Sequence, residues 1–145
     1  MFPNVKFMKL TPNAIAPEHK TLGAAGADLY AIESAVVSSD RPTIVRTGLA
    51  LELPAGYEAQ VRSRSGLATR GVFVINAPGT IDWDYRGEIK VILALLASEF
   101  DEYEIAVGDR IAQLVIKPIQ CVNFTEVAEL GETDRGDGGF GSTGR

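Results

Sequence analysis

Residues 72–96, VFVINAPGTIDWDYRGEIKVILALL, contain two strong apolar runs separated by a polar segment. The first run, Val72–Ile75, and the second, Glu88–Leu96, are rich in β-branched and other apolar residues, as buried strands are. The first run is followed directly by turn residues, Asn76-Ala77-Pro78-Gly79. We therefore expect two strands joined by a hairpin or loop of defined shape.

Short apolar segments and turn residues continue to alternate on both sides of this stretch. Strands so spaced, with Gly, Pro and Asn between them, predict an all-β sandwich or barrel. Helical periodicity is scarce, and one short helical turn is expected over Gly66–Arg70, with Ser65 as its N-cap. The other predicted strands are Val5–Leu10, Ala27–Ala31, Ala35–Val37, Thr43–Arg46, Leu49–Leu53, Tyr57–Arg62, Arg110–Lys117 and Cys121–Val127.

Length and composition describe a globular domain. The chain has 145 residues, 46% of them hydrophobic and 23% charged, enough to bury a substantial core. Its net charge of −5 argues against nonspecific nucleic-acid binding, which depends on a basic surface. The apolar runs are too short to span a membrane and the first residues show no signal-peptide pattern, so we expect a cytoplasmic protein without a membrane partner.

Three isolated reactive residues are interpreted from their neighbours. The single cysteine, Cys121, excludes an intramolecular disulfide and is expected to be a small buried hydrophobe. The single histidine, His19, lies between charged residues and is expected at the surface, which argues against a Ser-His-Asp triad or a histidine metal site. Asp28 lies in an apolar stretch and is either a hydrogen-bonded structural group or an acid beside a ligand.

The polar segment between the two apolar runs carries the densest set of reactive side chains. Asn76 can read the edge of a base through its amide, and Tyr85 can pack on a sugar. A carboxylate, Asp82 or Asp84, can act as a general base toward water. The same composition is also typical of a polar hairpin whose carboxylates only satisfy its turns.

Two further segments combine charge with turn residues. Arg62–Ala68 places Arg, Ser and Gly at the predicted helix start, which favours anion binding but also fits an ordinary cap with an exposed arginine. In Gly108–Leu114, Asp109 and Arg110 are expected to pair at a strand start. Gln113 in the same segment points either to the core or to a site.

The last eleven residues, RGDGGFGSTGR (135–145), include five glycines, two arginines, two hydroxyls and one aromatic ring. Arginine binds phosphate through paired hydrogen bonds, and successive backbone N–H groups can form an anion nest. Phe140 offers a face for stacking on a base. Glycine-rich ends are also commonly flexible tails without a task.

These segments, in this order and spacing, resemble the five motifs of the trimeric deoxyuridine triphosphatases. The third motif carries the run G-T-I-D-x-D-Y-R-G, and together the motifs cover almost the whole chain. The resemblance implies a jelly-roll-like β domain over residues 1–134, a flexible glycine-rich arm over residues 135–145 that closes the active site, and assembly as a homotrimer. The matching segments are Ala25–Ala31, Arg64–Ala68, Asn76–Glu88, Gly108–Leu114 and Arg135–Gly144.

The resemblance also implies an activity, the hydrolysis of dUTP to dUMP and pyrophosphate with Mg²⁺ on the triphosphate. Such an enzyme keeps uracil out of DNA and supplies dUMP for thymidylate synthesis. By similarity, Asp82 is the general base, Gln113 lies beside the phosphates and water, and Asp28 reaches the metal only through water. The residues implied to bind substrate are Arg64, Ser65, Gly66, Asn76, Gly79, Thr80, Ile81, Tyr85, Lys90, Arg135, Phe140, Gly141, Ser142 and Thr143.

Two departures from the family pattern and two alternative functions remain. Ser63 stands where many relatives have proline, and Trp83 stands where a small residue or proline is usual. We expect Trp83 to point away from the nucleotide, because neighbours in a strand-like segment alternate. The alternatives are a dCTP deaminase of the same fold and a non-catalytic, nucleotide-sensing regulatory protein.

Overall fold

In a computed structural model that describes residues 3–96 and 101–139, β-strands make up nearly all regular structure. The elements within these residues are β1 (Lys6–Lys9), β2 (Ala27–Tyr30), β3 (Ala35–Ser38), β4 (Thr43–Glu52), β5 (Tyr57–Arg62), α1 (Ser65–Ala68), β6 (Val72–Val74), β7 (Gly79–Ile81), β8 (Glu88–Leu95), β9 (Glu102–Ile105) and β10 (Arg110–Pro118). None of the described helical structure is long and apolar enough to cross a membrane.

The strands form three antiparallel sheets around one apolar core. The strand orders are β1-β4-β8-β6 in the first sheet, β2-β10-β5-β7 in the second and β3-β9 in the third. The prediction of an all-β, jelly-roll-like domain is therefore confirmed. Burial of apolar side chains stabilises this arrangement, and the largest fully buried residues are Leu29, Val37, Val45, Leu49, Val72, Ile89, Val91, Leu93 and Ile111.

Strand β4 joins two segments that the sequence predicts as separate strands. Its register with β8 shifts between Arg46 and Ala50, where Gly48 has a φ of +65°. The hydroxyl of Thr47 donates to the carbonyl oxygen of Ile89 at 2.6 Å, which ties the irregular stretch to β8. This long-range contact keeps the chain in one strand across the turn-like residues.

The expected hairpin between β6 and β8 is only partly correct. The two strands pair as predicted, with Val72 opposite Leu95. The connection between them, however, contributes β7 to the other sheet, where Gly79 lies opposite Val61 of β5. Ile81 packs against the core from that position, and this burial draws the connection away from a simple turn.

The predicted strand over Cys121–Val127 is wrong, and so is the predicted burial of Cys121. After Pro118, residues 119–139 contain no helix or strand, and Cys121 is exposed. A segment with an alternating pattern forms a strand only when it pairs with another strand, and no strand in the described part of the chain pairs with this one. Its side chains Val122, Phe124, Val127 and Leu130 are all exposed.

The short strand β9 was not predicted from the sequence. Its residues, Glu-Tyr-Glu-Ile, are half acidic, so they lack the apolar character of the other strands. Only pairing with β3, where Tyr103 lies opposite Val37, makes this segment a strand.

Candidate active site

Three of the predicted site residues meet at one end of the second sheet. Gln113 on β10 lies between Asp28 on β2 and Arg62 on β5. The chain then turns from β5 through Arg64 into α1, so the second motif begins beside them. The Ser63 hydroxyl accepts a hydrogen bond from the Val74 N–H at 2.9 Å and fixes this turn to β6.

Asp28 holds two arginines from different elements. Its side chain is 6% exposed, and its two carboxylate oxygens lie 3.2 Å from Arg64 Nε and 3.2 Å from Arg110 Nη1. Arg110 donates a hydrogen bond across its contact, whereas Arg64 Nε makes an ion pair without an aligned hydrogen bond. Arg64 Nη1 donates instead to the Arg110 carbonyl oxygen at 2.9 Å. The carboxylate therefore fixes both guanidinium groups at the same place.

The expected pairing of Asp109 with Arg110 is wrong. Asp109 Oδ2 accepts a hydrogen bond from the Ala106 N–H at 2.8 Å, within its own turn. Arg110 turns to Asp28 because a buried carboxylate requires a cation more than an exposed one does.

Ser65 is the first residue of α1 and not its N-cap, which corrects the sequence prediction. Arg64 occupies the cap position with extended φ and ψ of −90° and 133°, and no side chain of the described residues caps the helix. Helical geometry begins only at Ser65 because the Arg64 backbone is still extended. Ser65 and Gly66 are exposed next to the two arginines.

A cavity of about 270 Å³ opens beside this cluster. Its lining comes from the α1 segment, from β9 and from the start of β10. Sequence reasoning missed Arg70, which it assigned only to the helical turn, and Tyr103, which lies on the unpredicted strand. The lining residues are Arg64, Gly66, Leu67, Arg70, Tyr103, Asp109 and Arg110.

The third motif runs along β7, from Gly79 opposite Val61 to Ile81 opposite Ala59. This strand lies at the edge of its sheet, so one side of its backbone has no strand partner in the described chain. The Asn76 amide packs on Gly79, with Nδ2 only 2.9 Å from where a Cβ would stand. Thr80 is exposed between Gly79 and Ile81. An amide and a free strand edge are together suited to hydrogen bonding with a base.

Tyr85 is held over the backbone that follows it. Its hydroxyl donates to the Glu88 carbonyl oxygen at 3.2 Å. The same hydroxyl lies 2.2 Å from the position that a Cβ at Gly87 would occupy, so this ring position requires glycine there.

Trp83 is 41% exposed on the same turn. Lys90 is exposed on β8, opposite Arg46 of β4.

One copy of the chain does not bring Asp82 to the arginine cluster. Asp82 follows Ile81, which lies opposite Ala59, whereas Arg64 follows the other end of β5. The strand from Glu58 to Arg62 alone spans four residue steps, about 13 Å at roughly 3.3 Å per residue. Asp82 and Arg64 are therefore at opposite ends of this part of the sheet.

The start of the fifth motif makes a hydrogen bond within its own turn. Arg135 is exposed, and its Nε donates to the Gly138 carbonyl oxygen at 2.8 Å within a local turn. The remaining predicted residues of the arm, Phe140, Gly141, Ser142 and Thr143, lie outside the described residues.

A second polar group borders Asp28. The Asp28 N–H donates to the Glu18 carbonyl oxygen at 2.8 Å, and the Glu18 carboxylate accepts from the Tyr30 hydroxyl at 3.2 Å. The Lys20 ammonium hydrogen-bonds the same carboxylate and, with Tyr30, lowers the pKa of Glu18. Glu18 therefore remains charged at neutral pH. His19 is exposed, as predicted.

Comparison with known proteins identifies the family. The sequence profile of the dUTPase family matches residues 12–144, and the chain belongs to this family. It is 54% identical over 140 residues to the deoxyuridine 5'-triphosphate nucleotidohydrolase of Hydrogenobaculum sp., covering 94% of each chain. It is 50% identical over 141 residues to the enzyme of that name from Helicobacter pylori strain J99, covering 97% of this chain and 96% of the relative.

The fold agrees with a solved structure of the same family. The G164S mutant of the Staphylococcus bacteriophage 80alpha dUTPase, solved with dUpNHpp, superposes with a TM-score of 0.86 at 26% identity. The match covers 98% of this chain and 99% of that chain.

Proposed function

We propose that this chain hydrolyses dUTP to dUMP and pyrophosphate, in active sites shared between the subunits of a homotrimer. The observation that carries the proposal is the separation of Asp82 from the arginine cluster within one copy of the domain. Asp28, Arg64 and Gln113 lie together on the second sheet, while Asp82 follows Ile81 at the far end of β7. Family membership supports the substrate, and this separation supports completion of each site by a neighbouring copy.

The proposed chemistry is the attack of water on the α-phosphorus. Asp82 takes a proton from the water as its oxygen bonds to phosphorus. The bond from the α-phosphorus to the bridging oxygen then breaks, and pyrophosphate leaves with the electron pair. Arg64 and Arg110 stabilise the charge that develops on the phosphate oxygens, and Gln113 orients the water or a phosphate oxygen. Ser65 and Gly66 contact the phosphates beside Arg64.

Substrate selection is assigned to the third motif. The Asn76 amide and the backbone of Gly79, Thr80 and Ile81 hydrogen-bond the uracil edge, which leaves polar groups unpaired when another base enters. Tyr85 packs against the deoxyribose, where a 2′-hydroxyl would clash. Lys90 lines the same pocket through its backbone.

The exposed C-terminal segment supports the assembly. Phe124 is 95% exposed and Leu130 is 87% exposed in a single copy, although apolar side chains of this size favour burial. The last backbone hydrogen bond between this segment and the described β domain runs from the Ile119 N–H to the Gly56 carbonyl oxygen. From Ile119 the chain can extend roughly 3.3 Å per residue, far enough to reach a neighbouring subunit. Arg135 and the residues after it would then close over a neighbour's site.

Mg²⁺ is the proposed cofactor, held mainly by the triphosphate and water. Among the described residues, no group of three or more His, Cys, Asp or Glu side chains could hold a metal ion. Both Asp28 oxygens face guanidinium groups, so this residue fits an outer role through water and not direct ligation. When bound, the ion would neutralise phosphate charge, while Asp82 would accept the proton from water.

Pyrophosphate release from dUTP, dTTP, dCTP and UTP, with and without Mg²⁺, tests the activity. We expect release from dUTP with Mg²⁺ and little from the other three. Ammonia release from dCTP without pyrophosphate release from dUTP would identify a deaminase instead. Tight dUTP binding without turnover would identify a nucleotide-sensing protein.

Asp82→Asn tests the general base, with Asp84→Asn as its matched control on the same exposed turn. We expect Asp82→Asn to lower pyrophosphate release about 100-fold or more while dUTP binding survives, because the amide cannot accept the proton. Asp84→Asn should retain most activity. Loss of activity in Asp84→Asn but not in Asp82→Asn would identify Asp84 as the general base.

A further inference from the structure

The cavity beside Asp28 extends beyond the five motifs. Arg70 and Tyr103 line it together with Arg64 and Arg110, although neither residue belongs to a motif. Tyr103 is partly buried against the core, and its hydroxyl lies 3.4 Å from Arg70 Nη1. The Tyr103 hydroxyl therefore contacts the Arg70 guanidinium from a side chain that is anchored in the core.

The charges around the cavity favour an anion. Three guanidinium groups from Arg64, Arg70 and Arg110 surround one space and repel each other. Asp28 neutralises part of this charge from the buried side, and the Asp109 carboxylate already accepts the Ala106 N–H. No carboxylate of the described residues lies within ion-pair distance of Arg70.

The groups that line the cavity indicate the kind of anion. A volume of about 270 Å³ has room for a phosphate group. Its walls carry guanidinium and phenol groups, which donate hydrogen bonds to phosphate oxygens. These properties suit phosphoryl groups better than a nucleoside.

We propose that Arg70 and Tyr103 form a further anion subsite, which binds the terminal phosphate of dUTP and the pyrophosphate product. This inference rests on the proposed function for its substrate. Arg70 donates to the terminal phosphate, and Tyr103 orients the guanidinium. Arg64 and Arg110 bridge this subsite to the phosphates nearer the reacting centre.

Calorimetric titration of Arg70→Gln with pyrophosphate, dUpNHpp and dUMP tests the subsite. We expect about ten-fold weaker binding of pyrophosphate and dUpNHpp, the loss typical of one charged hydrogen bond, and unchanged binding of dUMP. Lys117→Gln is the matched control, because it removes an exposed cation at the opposite end of β10. Arg70→Lys should restore part of the loss, and Tyr103→Phe should weaken the same two ligands less than Arg70→Gln does.

The outcomes separate this inference from the proposed function. Unchanged pyrophosphate binding in Arg70→Gln overturns the subsite even when the wild type hydrolyses dUTP. Equal weakening of dUMP also overturns it, because Arg70 would then act on the whole site. Failure of the wild type to hydrolyse dUTP contradicts the proposed function, while pyrophosphate titration of the variant still decides the subsite. A thermal melt of each variant confirms that the fold is intact.

Discussion

Asp28 determines where two arginines point. Its carboxylate is buried within an otherwise apolar strand and faces Arg64 on one oxygen and Arg110 on the other. A buried charge without partners is costly, so these contacts hold the guanidinium groups in place before any anion binds. Arginines fixed in advance lose less conformational entropy when they bind phosphate.

Gly87→Ala is expected to weaken discrimination between dUTP and UTP. The new Cβ would lie 2.2 Å from the present position of the Tyr85 hydroxyl, so the ring must move away from its hydrogen bond with Glu88. The ratio of kcat/KM for dUTP to that for UTP should fall, because Tyr85 excludes the 2′-hydroxyl in the proposed site. Gly23→Ala, where a Cβ meets nothing within 4 Å, is the control. If the ratio of kcat/KM for dUTP to that for UTP is unchanged in Gly87→Ala, Tyr85 does not select the sugar.

At the scale of elements, the start of β8 is fixed to the irregular part of β4. Arg46 Nε lies 3.1 Å from both Glu88 carboxylate oxygens, and the Gly48 N–H donates to one of them at 2.9 Å. The Glu88 side chain is 12% exposed, so these bonds are partly shielded from water. Because the Glu88 carbonyl oxygen also accepts the Tyr85 hydroxyl, the strand pairing positions the turn that carries Tyr85 and Asp82.

Deletion of residues 135–145 tests the arm as a separate element. These residues follow a segment without helix or strand, so the β domain should keep its melting temperature and its assembly. We expect dUTP hydrolysis to fall at least about ten-fold, because the site loses phosphate contacts and its shield against water. Light scattering and pyrophosphate release measure the two properties. Full activity of the shortened chain would show that the tail has no catalytic task.

At the scale of the whole molecule, one copy of the domain keeps Asp82 apart from the arginine cluster. Cyclic assembly can bring the Asp82 surface of one copy to the Arg64 surface of the next and repeat the contact until the ring closes. The exposed apolar side chains after Pro118 supply buried area for such contacts. A three-membered ring then contains three equivalent sites.

Mixed trimers of two impaired variants test whether sites are shared. Asp82→Asn and Arg64→Lys each damage one surface, and the lysine keeps a cation beside Asp28 while losing the planar fork that binds phosphate. Coexpressed variants with different tags, purified through both tags, should release pyrophosphate faster than either parent. The gain arises because every mixed trimer contains one site with an intact Asp82 and an intact Arg64. Activity at the mean of the two parents would show that each site lies within one subunit.

The sequence by itself determined most strands and the identity of the motif residues. The strands over Val72–Ile75, Glu88–Leu96 and Arg110–Lys117 follow from apolar runs and turn residues, which act locally. The motif segments were recognised from residue type and spacing, without knowledge of their contacts. Both kinds of signal lie within short stretches of chain, so one sequence is enough to predict them.

Only the tertiary structure decided which distant residues meet. It paired Arg110 with Asp28 in place of Asp109, moved Gly79–Ile81 into the second sheet, and left Cys121–Val127 exposed. It also added Tyr103 to a cavity with Arg70, through a strand that its own composition does not predict. These outcomes depend on burial and charge compensation between segments far apart in the chain, which local patterns do not encode.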